Sequence, residues 1–99
     1  DMKKLVKEVD IKNFFKLLEV KKVNIYALPL CGIDFSLSRV AMKNYENCIY
    51  FKTDNSSMNI VYKAIKSLEV DETEEIIKIK AKIENGTLVT IRHYKPHEE

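Results

Sequence analysis

Tryptophan is absent from this 99-residue chain, and glycine, proline and cysteine occur only twice each. Two glycines leave no loop in which backbone amides could close on a phosphate, and neither G-x-x-x-x-G-K-[ST] nor G-x-G-x-x-G occurs. H-E-x-x-H and G-x-S-x-G are missing as well, so no nucleophile elbow or zinc-protease helix is spelled out. No apolar run approaches the roughly 18 to 20 residues of a membrane-spanning helix. No leader pattern opens the chain either, because Lys3, Lys4, Lys7 and Glu8 interrupt every apolar pair. The expectation is a cytoplasmic protein with no membrane partner. Asp1 before Met2 reads as a residue left ahead of a native start, and thus as a nearly complete small protein.

The two cysteines, Cys31 and Cys48, form no C-x-x-C pair and are expected as small buried residues in a reducing compartment. With His93 and His97 they make a formal Cys₂His₂ set, but the spacing matches no zinc finger and the histidines flank Pro96 near a frayed end at 95–99. Cys31, beside Gly32, is the one residue to consider as a nucleophile, and His93 the one base. Nothing in the sequence brings them together. The acidic run Glu69 to Glu75 lacks the alternating carboxylates and central glycine of a calcium loop. No catalytic residue, metal or cofactor is therefore assigned.

Charge of one sign is not in excess. Seventeen Lys and Arg against fifteen Asp and Glu leave a formal net charge of +2, too small a global field to imply nucleic acid or a membrane surface. Arg39 and Arg92 are the only arginines, whereas reading base edges favours the guanidinium fork. The excess of Lys, Ile and Asn matches an AT-rich coding sequence, which discounts lysine abundance as a functional signal and points toward a phage or other mobile element.

What is there is periodicity. Met2, Leu5, Val6 and Val9 recur at helical spacing, as do Ile11, Phe14, Phe15 and Leu18 in a phase rotated by roughly 200°. This predicts a broken helical region over residues 2 to 19, with Asp10 as an N-cap inside it. Residues 23 to 28 read as a strand ending at Pro29. Alternation from Ile33, then a turn-like Lys43 to Asn47, then Cys48 to Phe51 predict a hairpin over residues 33 to 53, with a helix across Leu37 to Tyr45 as the competing reading. Asp54 to Ser57 supply N-caps for a second helix over residues 55 to 69, its apolar side formed by Met58, Val61, Tyr62, Ile65 and Leu68.

The strongest pattern is Ile77, Ile79, Ala81 and Ile83 alternating with Lys78, Lys80 and Lys82, followed by Asn85-Gly86 and the return Leu88 to Tyr94. A two-residue loop would set Ile79 opposite Arg92. A three-residue loop, Glu84-Asn85-Gly86 with a left-handed Gly86, pairs Ala81 with Val89 and Ile79 with Ile91, keeping one face dry. The wet face then carries Lys78 opposite Arg92, Lys80 opposite Thr90 and Lys82 opposite Leu88. Like charges facing each other destabilise a ladder, so these cations either draw on the carboxylates just upstream, Glu69, Asp71, Glu72, Glu74 and Glu75, or meet an anionic partner. Charged strand faces also protect a sheet from stray pairing.

The sum is an α+β domain, a mainly antiparallel sheet of about five strands in the order α-β-β-β-α-β-β, covered on one face by two helical segments. By elimination, the expected activity is that of a small non-enzymatic protein occupying a partner's surface as inhibitor, regulator or assembly subunit. Another protein is the first expected partner, and a homodimer through an unpaired strand edge is compatible. The alternative is sequence-independent nucleic-acid binding through Lys78, Lys80, Lys82, Arg92 and Lys95. Tyr45, Tyr50, Phe51, Tyr62 and Tyr94 would assist only if they shared an open face with those lysines.

Overall fold

Strict apolar-polar alternation in the last third of the chain gives two neighbouring strands of one eight-stranded antiparallel sheet. A computed structural model describes residues 2–18, 22–28, 35–55 and 57–95. In chain order its elements are β1 (Met2–Leu5), α1 (Glu8–Leu18), β2 (Lys22–Leu28), β3 (Phe35–Asn44), β4 (Cys48–Lys52), β5 (Ser57–Val61), a 3-10 turn (Tyr62–Ala64), β6 (Ile65–Glu72), β7 (Ile76–Ile83) and β8 (Leu88–Tyr94). Across the sheet the order is β1-β6-β7-β8-β2-β3-β4-β5.

The hairpin β7–β8 turns through the three-residue loop. Ile83 N–H donates to Thr87 O at 2.9 Å and Gly86 N–H to Ile83 O at 2.9 Å. Gly86 sits at φ 91°, where a Cβ would clash, and the Asn85 side chain accepts the Thr87 N–H at 2.9 Å. Ala81 accordingly faces Val89, and Ile79 faces Ile91. The β3–β4 hairpin also falls where the sequence put it, its tip at Tyr45 to Asn47.

The expected helix over residues 55 to 69 does not form. From Ser57 onward they make β5, the 3-10 turn and the first five residues of β6. Tyr62, Ile65 and Leu68 are buried three apart for two reasons. A 3-10 turn repeats every three residues, and β6 carries a bulge between Ile65 and Ser67 that shifts its pleat by one residue. Together they imitate a helical stripe.

The N-terminal region is likewise one helix, not two segments. Met2 to Leu5 pair with β6, from Met2↔Asp71 to Leu5↔Leu68. The break falls at residues 6 and 7 instead of at Asp10, with the Lys7 carbonyl accepting the Asp10 and Ile11 N–H groups at 3.1 and 3.0 Å. Glu8 and Asp10 stand in the first turn, where carboxylates favour the positive end of the helix dipole. Among the described residues the sheet thus has eight strands, where about five were expected, and a single α-helix covers it, where two helical segments were expected.

The sheet curls around that helix. Laid flat, β5 and β6 would be six strand spacings, or about 29 Å, apart. A 3-10 turn of three residues links them, and such a turn spans about 6 Å. Ile11, Phe15 and Leu18 of α1 share one core with Met42, Phe51 and Ile60 from one half of the sheet and Leu68, Ile79 and Ile91 from the other. Each such burial contributes about 1.5–3 kcal/mol. Among the described residues no buried side-chain polar atom lacks a hydrogen-bond partner, and no helix is long and apolar enough to cross a membrane.

Candidate functional site

The pleat that buries Ile77, Ile79, Ala81 and Ile83 sends Lys78, Lys80 and Lys82 to the opposite face of β7. Across β8 they meet Arg92, Thr90 and Leu88 in the expected register. Across β6 they meet Asp71, Glu69 and Ser67. Partners directly opposite in an antiparallel pair have Cβ atoms about 5 Å apart, so carboxylates lie beside two of the three lysines. β1 extends the rows with Lys4 next to Glu69 and Met2 next to Asp71. One row therefore reads Lys4, Glu69, Lys80, Thr90, and the next Met2, Asp71, Lys78, Arg92. Met2, Glu69, Asp71, Lys78 and Lys80 line a shallow depression between them.

Exposed apolar side chains ring these charges. Met2 is 70% exposed at one margin, Tyr94 58% at another and Leu88 44% at a third. The patch has mixed charges at its centre and separate apolar anchors at its rim.

Lys95, just past β8, is occupied differently from the others. Its Nζ donates to Glu72 Oε2 and to the Thr73 carbonyl, both at 2.7 Å. The Thr73 hydroxyl in turn accepts the N–H groups of Glu75 and Ile76 at 3.2 Å each, shaping the β6–β7 turn. Lys95 thus pins the end of β8 to that turn. Hydrogen bonding and charge from the Lys95 ammonium hold the Glu72 carboxyl below the ordinary carboxylate range. A depressed carboxylate adds its stabilisation above the unfolded-state pKa and loses it as pH falls through the folded value. Carbon-detected NMR titration should show Glu72 protonating below a free glutamate, and Lys95→Met should move it upward. A Glu72 titration that ignores Lys95→Met would show the clip to be absent in solution.

The remaining sequence candidates do not converge. Cys31, Gly32 and His97 lie outside the described residues. Cys48 is half-buried on β4, and His93 is on β8, with β2 and β3 between those strands. Among the described residues no group of three or more His, Cys, Asp or Glu could hold a metal ion. Phe51 and Tyr62 belong to the core. Tyr45 and Tyr50 meet edge to face at 6.2 Å at the β3–β4 hairpin, with Lys43 Nζ 5.7 Å from the Tyr45 ring centre. Of the five aromatics considered, only Tyr94 stands on a strand beside Lys78 and Lys80; Tyr50 is on the outward pleat of β4, four strand places from β7.

Sequence reasoning names Glu69 and Asp71 only as carboxylates near the ladder and does not place them, or Lys4 and Met2, in register on this face, because it reads β1 and most of β6 as helix. The alternation Leu68, Glu69, Val70, Asp71 was the signal that could have found the two carboxylates. Compared with known proteins, the chain matches no family model, and neither a curated protein nor a solved structure matches it significantly.

Proposed function

We propose that this protein is non-enzymatic and acts by occupying another protein's surface through the outer face of β1, β6, β7 and β8. One observation carries the reading: Glu69 and Asp71 stand in register with Lys80 and Lys78 inside the cationic ladder. A phosphate backbone laid across the ladder would meet those carboxylates and be repelled. A protein surface with alternating charges would find complementary partners, while Met2, Leu88 and Tyr94 supply apolar contact at the edges. An inhibitor, a regulator or an assembly subunit all work in this way.

The test compares two ligands. Labelled single- and double-stranded oligonucleotides, titrated at low salt and followed by anisotropy, should show no binding that depends on Lys78, Lys80 and Arg92. A photo-crosslinker at Thr90, at the centre of the face, should capture one discrete protein in cells. Lys80→Gln with Arg92→Gln should abolish that product with little change in the melting temperature, since neither places like charges opposite each other. Oligonucleotide binding with a salt slope of about three or four released counterions, lost when Lys78, Lys80 and Arg92 are neutralised, would overturn the reading in favour of nucleic acid.

A further inference from the structure

Among the described strands each end of the sheet has one with a single neighbour, and the two edges are built differently. β1 carries Lys3 and Lys4, a charged edge of the kind that discourages further pairing. β5, with the sequence Ser-Met-Asn-Ile-Val, has no charge, no proline and no bulge, and among the described strands it pairs only with β4.

The hydrogen-bond phase of β5 is fixed by two contacts. Tyr62 N–H donates to Asn47 O at 3.0 Å, and Tyr45 N–H donates to Cys48 O at 2.8 Å across the neighbouring ladder. Since backbone groups alternate sides along a strand, Met58 and Ile60 direct theirs at β4. Ser57, Asn59 and Val61 direct theirs away from it. Their side chains are all exposed, Val61 by 46%. The open backbone groups are therefore spaced every second residue and centred on Asn59.

We propose that β5 pairs antiparallel with β5 of a second copy about a two-fold axis at Asn59, joining two eight-stranded sheets into one. This inference stands apart from the reading of the β7–β8 face. The register follows from the phase, with Asn59 facing its own copy and Ser57 facing Val61 of the second chain. Every outward group in those pairs then has a partner, giving about six backbone hydrogen bonds.

Side chains are self-complementary in this register. On the inner face, Met58 rests beside Ile60 of the second chain. An apolar row then runs from Phe51 through Met58 to Ile60 and Ile49 of the other copy. On the outer face, Lys52 stands beside Ser57, whose new neighbour is the uncharged Val61, so the two copies' Lys52 residues lie at opposite ends of the junction. No like charges face each other. The isologous symmetry closes the contact at two chains and prevents fibre growth.

Sedimentation equilibrium of the whole chain over about 5 to 500 μM should show mass rising from 11.6 kDa toward twice that value, with micromolar dissociation. Asn59→Lys and Asn59→Asp each put like charges opposite themselves on the axis and should weaken the dimer about tenfold or more. An equal mixture of the two variants should associate again, since opposite charges then meet. That recovery also shows that both variants fold. A wild-type chain that stays monomeric, a dimer indifferent to both substitutions, or a mixture that fails to recover would each overturn the proposal.

Discussion

Phe15→Ala is expected to cost about 3–5 kcal/mol, the range for deleting a fully buried aromatic ring. Phe15 is 0% exposed, lies 5.8 Å from Phe14 in an edge contact and 6.4 Å from Tyr62. It is the central member of the Ile11, Phe15, Leu18 stripe that seats α1. α1 has only three turns and would be marginal without that packing. A domain of this size has about 5–15 kcal/mol in total, so the variant should melt about 15–30 °C lower. Urea and thermal unfolding followed by circular dichroism measure it. A loss below about 1 kcal/mol would mean that α1 does not sit in the curl of the sheet.

Tyr62→Ala should rank with it, at about 3–5 kcal/mol, for a reason specific to its position. Tyr62 opens the 3-10 turn joining β5 to β6, is 2% exposed, and donates its hydroxyl to Asn44 Oδ1. The same asparagine donates its Nδ2 to the Phe15 carbonyl at 3.0 Å. One side chain thus ties the turn to β3 and, through Asn44, to α1. Tyr62→Phe keeps the ring and removes only the hydroxyl, so it should lose about 1 kcal/mol. Because Phe15 and Tyr62 touch, the double alanine variant should lose less than the sum of the two single losses. Full additivity would show that the two rings stabilise separate parts of the molecule.

The parts of the fold that were legible in the sequence are those where one face is dry and the pleat is unbroken. Ile77 to Ile83 alternate without interruption, and the burial pattern alone chose a three-residue loop over a two-residue one. The Ile11, Phe14, Phe15, Leu18 stripe likewise identified α1. Residues 57 to 72 were opaque because a tight turn and a bulge placed Tyr62, Ile65 and Leu68 at intervals that a helix shares. Met2 to Leu5 were opaque because four residues carry too little periodicity to separate strand from helix, and their partner β6 is remote in sequence. The lysines and Arg92 of the candidate face were visible as a ladder. The carboxylates in register with them belong to that misread stretch, so whether the ladder stood alone could be decided only from strand pairing.

The strand order also constrains the timing of folding. β2 to β5 form one consecutive meander and β6 to β8 another; the pairing that joins them, Asn24↔Arg92, and the one that adds β1 to the second, Met2↔Asp71, each close a loop of about seventy residues. Such distant contacts give a high contact order and folding on the millisecond-to-second scale. On the ribosome, β1 waits unpaired until β6 emerges, and β2 lacks its second neighbour until β8 does. The charged edge of β1 is then useful twice: Lys3 and Lys4 discourage pairing with other nascent chains during that interval, and they frame the finished sheet afterwards.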